Sequence, residues 1–119
     1  MYYFDSYALF EILEGNPAYD GYLGSEIITS ALNIGEFYYG LLKQTTAQRA
    51  ESIADSVKPD LLEIDVATVK KAMAFRHAHI KSKFSTVDCV GYVLARSHGL
   101  KFLTGDKEFE GMPGVEFVN

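Results

Sequence analysis

The chain has 119 residues, a formal net charge of −5 and one cysteine. That length suits one domain able to bury roughly two-thirds of its unfolded surface, so residues 1–119 are read as a single unit with no linker, repeat or low-complexity tract. Cys89 alone excludes an internal disulfide and a thiolate metal site, and the excess of acids excludes a protein that grips nucleic acid chiefly through a basic surface.

No positively charged n-region precedes an apolar run in Met1 to Phe10, which Asp5 interrupts, so export is not expected. No segment approaches the roughly eighteen unbroken apolar residues of a membrane span, so a cytoplasmic setting is expected. An acidic chain can still act on nucleic acid, provided that divalent cations held by clustered carboxylates invert the local field.

Tyr2, Tyr3 and Phe4 are predicted to form a short strand ending at Asp5, and Ser6 opens a helix with Leu9, Ile12 and Leu13 on one side. Gly15, Asn16 and Pro17 stop it. Residues 18–24 read as loop or one helical turn, residues 26–29 as the second strand, and Ser30 as a cap. Over residues 31–43 the positions Ile34, Phe37, Tyr38, Leu41 and Leu42 follow the i, i+3, i+4, i+7, i+8 rule, the clearest amphipathic helix in the sequence.

A weaker helix over residues 46–56 turns Ala47, Ala50, Ala54 and Val57 inward, and Pro59 breaks the chain before a third strand at residues 61–64. Asp65 caps a helix whose inward face is expected to be Val66, Val69, Met73, His77 and Ile80, fraying into Lys81, Ser82 and Lys83. Val87, Val90, Gly91, Leu94 and Ala95 then repeat the helical spacing, and Gly99 ends that helix. A buried strand at residues 100–104 and a last strand at residues 115–118 complete the pattern.

Strands alternating with helices indicate a parallel sheet covered on both faces, with ligands bound beyond the carboxyl ends of the strands. Asp5 and Asp106 follow strands at that end. Asp88 lies in the first turn of its helix, which shares the same end, and Glu36 is a turn into another. Each acid also has an ordinary structural role: Asp5 as a cap, Glu36 as a solvated residue opposite the apolar stripe, Asp88 at N3 of a Ser85 capping box, and Asp106 in a Gly-Asp turn. If all four converge to about 4 Å, each pair repels by roughly 4 kcal/mol at an effective dielectric of 20. Protons or hard cations, Mg²⁺ or Mn²⁺, must then offset the charge.

Asp5-Ser6 after an aromatic strand, Asn33-Ile34-Gly35-Glu36-Phe37-Tyr38-Tyr39-Gly40-Leu41, Val87-Asp88 opening a helix, and Leu103-Thr104-Gly105-Asp106-Lys107-Glu108-Phe109 together resemble a PIN domain. Within that family it resembles the compact, single-domain VapC-type toxin ribonucleases. The resemblance implies a three-layer α/β/α sandwich on a five-stranded parallel sheet of order 3-2-1-4-5, with Asp5 and Asp106 on adjacent strands. It implies Mg²⁺- or Mn²⁺-dependent cleavage of RNA, and a toxin that dimerises and is bound by an antitoxin protein. The family's acidic positions fall on Asp5, Glu36, Asp88 and Asp106, as catalytic residues and metal ligands, with Ser6 and Thr104 as supporting hydroxyls. Gly91 departs from the pattern, standing where a better helix former is expected.

Lys43, Lys81, Lys83 and Lys107 are the candidates for guiding RNA, with Lys43 and Lys107 placed foremost. His77, His79 and His98 do not cluster at ligand spacing. The competing reading is a non-catalytic PIN-like module that binds a cation or a partner. A phosphoacceptor receiver domain is disfavoured because no second acid accompanies Asp5 and no Lys follows Val118.

Overall fold

The computed structural model describes every residue, Met1–Asn119. Five strands, β1 (Tyr2–Phe4), β2 (Ile28–Thr29), β3 (Asp60–Leu61), β4 (Lys101–Thr104) and β5 (Val115–Phe117), form one sheet of order β3-β2-β1-β4-β5. Every pairing is parallel. The helices are α1 (Ser6–Leu13), α2 (Ala31–Gln44), α3 (Ala47–Ser56), α4 (Val66–Ala78) and α5 (Thr86–Ser97), with short 3₁₀ turns at Pro17–Tyr22 and Lys107–Phe109.

Strand alternation divides the core into two layers. Tyr3 and its register partner Phe102 face one side, where they pack with Ala72 of α4 and with Cys89, Val90, Leu94 and Ala95 of α5. Phe4 and Leu103 face the other, against Ala8 and Leu9 of α1, Phe37 and Leu41 of α2, and Ala50 of α3. The expected three-layer sandwich and strand order are what the chain adopts.

Three local expectations need correction. Ala47 is exposed and not turned inward on α3. The third strand sits at Asp60–Leu61, not at residues 61–64, because β2 offers only Ile28 and Thr29 before Ser30 starts α2. Leu62 and Ile64 instead pack against the α4–α5 side of the core. The inward face of α4 is Ala72 with Met73 and Phe75, while Val66 and Ile80 are 75% and 73% exposed and His77 is exposed as well. Phe75 decides that rotation, lying 5.0 Å from the Tyr92 ring and 5.5 Å from the Phe84 ring.

Gly91 also finds its reason here. A Cβ at that position would stand 3.2 Å from Phe102 and from Tyr3 and 3.3 Å from Asn33 Oδ1, so any side chain there would crowd these neighbours by a few tenths of an ångström, and glycine leaves the helix free to lie this close to the sheet.

Candidate active site

Asp5 is the residue on which the site is assembled. It ends β1, caps α1 and is 3% exposed. Its Oδ2 accepts a 2.7 Å hydrogen bond from Thr104 Oγ1 at the end of the adjacent β4. Its Oδ1 accepts from the Ser6 amide at 2.9 Å and from Asn33 Nδ2 at 3.3 Å. Three donors from three elements therefore fix this carboxylate before any ligand arrives.

Asn33 is the bracket behind it. Fully buried in the first turn of α2, it donates to Asp5 and to Ser6 Oγ, the latter at 3.0 Å, and its Oδ1 accepts from Tyr3 Oη and Ser30 Oγ at 2.5 and 3.0 Å. The Ser6 hydroxyl in turn donates to the Asn33 carbonyl at 3.1 Å. Ser6 thus acts on Asp5 through its amide, and its hydroxyl ties α1 to α2. Thr104 is the hydroxyl that orients the acid.

Glu36 follows Asn33 by three residues and so shares its helix face. It is half-buried, not fully solvated, because α2 has two covered sides, the apolar stripe and this polar edge. Asp88 serves two purposes. Its Oδ2 accepts from the Ser85 amide at 2.8 Å while Ser85 Oγ accepts from the Asp88 amide at 3.0 Å, which completes the capping box. One carboxylate oxygen from each of Asp5, Glu36 and Asp88 lies within 4.8 Å of the others.

Asp106 stands apart from that trio. Its Oδ1 caps the Lys107–Phe109 turn by accepting from the Glu108 amide at 3.0 Å, and its own amide donates to Thr104 Oγ1 at 3.1 Å. Thr104 therefore links Asp106 to Asp5, and the charge of Asp106 still bears on Asp88. Lys107 is exposed beside it at the rim. Lys43 is exposed about two helical turns beyond Glu36, with its Nζ 4.8 Å from the Tyr39 ring centre. None of the three histidines joins the acidic group.

Burial pushes the Asp5 carboxyl up to about 7, and the charges of Asp88 and Glu36 add to the effect while the Thr104 hydrogen bond opposes it. Asp88 is raised as well, by burial first and by Glu36 and Asp106 after it, against the bonds from Ser85. The charged groups that act on this pair are other acids. An all-oxygen, anionic cluster of this kind holds protons or a hard cation.

Sequence reasoning found the three converging acids and Thr104 but passed over Asn33, Ser30 and the Tyr3 hydroxyl as site-builders. The available signal was a polar residue three positions before Glu36, on the face the acid shares.

A family profile described as PIN domain matches residues 2–115. Comparison with curated protein sequences finds no match. Among solved structures, a toxin–antitoxin complex from Klebsiella pneumoniae superposes with a TM-score of 0.74 at 22% identity, covering 98% of this chain and 96% of that one. The Mycobacterium tuberculosis toxin VapC20, described as cleaving the sarcin–ricin loop, gives 0.79 at 18% identity over 100% of both chains. VapBC2 from Rickettsia felis, bound to a DNA fragment of its promoter, gives 0.71 at 18% identity over 99% and 98%. At such identities the likeness shows a shared fold.

Proposed function

The chain belongs to the PIN domain family, and from that premise we propose that it is a Mg²⁺- or Mn²⁺-dependent endoribonuclease, the toxin of a toxin–antitoxin pair. The observation that carries this reading is the convergence of Asp5, Glu36 and Asp88, one carboxylate oxygen of each lying within 4.8 Å of the others, with only acids among the charged groups that shift Asp5 and Asp88. The donor set is oxygen alone, which fits a hard divalent ion and not zinc or copper.

A cation held by these carboxylates would lower the pKa of a bound water and offset charge growing on the phosphate oxygens. The chain's own residues do the positioning. Thr104, Asn33 and the Ser6 amide keep Asp5 in one orientation, and Ser85 leaves one oxygen of Asp88 free to face the cluster. Glu36 orients the attacking water, and Asp106 completes the set from the rim through water. Lys107 meets a substrate phosphate beside Asp106, and Lys43 one farther along α2.

The toxin reading is supported by the fold neighbours, which include a toxin–antitoxin complex and the toxin VapC20. In this reading residues 1–119 act as one domain, as a homodimer in the cytoplasm, held inactive by an antitoxin protein. No helix is long and apolar enough to cross a membrane.

The test is incubation of the purified protein with a mixed RNA pool in Mg²⁺ or Mn²⁺, with EDTA, and as the Asp5→Asn and Asp106→Asn variants. Cleavage is expected with the cations and lost with EDTA or Asp5→Asn, with Asp106→Asn weaker than wild type. Cleavage that survives chelation overturns the reading.

A further inference from the structure

The molecule's charge is unevenly spread. Between Val66 and Val87 the sequence carries Lys70, Lys71, Arg76, Lys81 and Lys83 and no acid, so five of the eleven Lys and Arg lie in a stretch that excludes all sixteen acids. This stretch is α4, its connection to α5 and the first residues of α5. All five cations are exposed.

The cationic stretch ends at the acidic cluster. Arg76 Nη1 donates to Thr86 Oγ1 at 2.9 Å, tying the last turn of α4 to the first of α5. Thr86 lies between Ser85 and Asp88, the two residues of the capping box, and the charge of Arg76 reaches Cys89 beside Asp88. Lys81 and Lys83 occupy the connection itself. His79, exposed at the same corner, has its ring centre 4.2 Å from that of Phe75, leaving an aromatic surface of the kind on which bases stack.

We propose that the α4–α5 corner, with Arg76, Lys81 and Lys83, is where the phosphate backbone of single-stranded RNA docks as it approaches the carboxylates. The inference rests on the ribonuclease reading and names the surface that makes it workable. A chain of net charge −5 repels a polyanion as a whole, and a phosphodiester must nevertheless arrive at a cluster of carboxylates. A cationic corner abutting that point supplies the approach. An acidic peptide would find the same cations, but nothing leads it on toward a cluster of carboxylates.

The experiment measures binding of a short labelled single-stranded RNA to the Asp5→Asn protein across a salt series in EDTA, with and without Lys81→Gln/Lys83→Gln. Arg49→Gln/Lys101→Gln serves as the control of equal charge change, Arg49 lying on α3 and Lys101 at the start of β4. Two lost phosphate contacts should make the slope of log affinity against log salt shallower by roughly 1.4, at about 0.7 per contact for a single strand, while the control keeps the parent slope. With Asp5 intact, the corner variant should show a raised KM and an unchanged kcat. An unchanged slope and KM in a protein that cleaves RNA overturns the docking surface and leaves the ribonuclease reading standing. No binding and no cleavage by any version overturns both. Unaltered RNA binding together with lost binding of polyglutamate assigns the corner to an acidic protein partner and overturns the proposal.

Discussion

Asp5 lies where burial and neighbouring acids resist its charge. Its carboxyl is pushed up to about 7 from an ordinary 3.8, so the folded protein still binds a proton at pH values where the unfolded chain has released it. The sign follows: this contribution to stability is fully present below pH 3.8 and is lost as pH rises through about 7, a difference of about 4 kcal/mol. In EDTA, the melting temperature is expected to fall between about pH 5 and pH 8, and Asp5→Asn, which mimics the protonated acid, to flatten most of that fall. A wild-type profile that rises over this range would contradict the assigned proton. The neighbouring bracket makes a second prediction. Asn33→Ala leaves the buried Tyr3 hydroxyl without its acceptor and removes one donor from Asp5, so urea unfolding should show a loss of roughly 2 kcal/mol, and cleavage per folded molecule should drop with it.

The elements that carry these residues were legible to different degrees. Most caps were plain, since Asp5, Ser30, Asp65 and Ser85 all head helices where the sequence places them. The face of α4 was not, because its apolar residues surround the helix and only Phe75, wedged among Phe84 and Tyr92, selects the buried side. Helix–sheet spacing was equally hidden, and Gly91 marks it. Gly91→Ala gains about 1 kcal/mol of helix propensity and loses roughly 1–3 kcal/mol to overpacking, so a net loss near 1 kcal/mol is expected by urea unfolding. The Cβ presses on Tyr3 and Asn33, which hold Asp5, so cleavage should fall by more than the stability loss explains. Gly99→Ala is the contrast: φ is +67° there and nothing lies within 4 Å of an added Cβ, so stability should drop while activity per folded molecule stays unchanged.

For the whole molecule, the proposed cation site would link folding to cation binding. Any ion that binds only the folded state stabilises it, by about 2.7 kcal/mol at a hundredfold excess over Kd. Mn²⁺ or Mg²⁺ should therefore raise the melting temperature, and more so at pH 8 than at pH 6, where protons compete at Asp5. Glu36→Gln should diminish that rise. If the variant gains as much from the cation as wild type does, Glu36 is not among the ligands.

The sequence by itself determined the alternation of strands and helices, the parallel sheet with covered faces, and the end of that sheet at which the acids gather. These follow from short-range signals, namely spacing, caps and turn residues, that act within a few positions along the chain. Only the tertiary structure decided which acids meet. Asp5 and Asp88 are 83 positions apart, and their convergence with Glu36 depends on β1 pairing with β4, on α5 lying close to the sheet at Gly91, and on Asn33 bridging α2 to β1. Asp106 lies outside that trio: one of its oxygens caps the turn that follows β4, and its charge still bears on Asp88. Spacing along a chain measures local geometry, and distance across a packed core is set by what lies between.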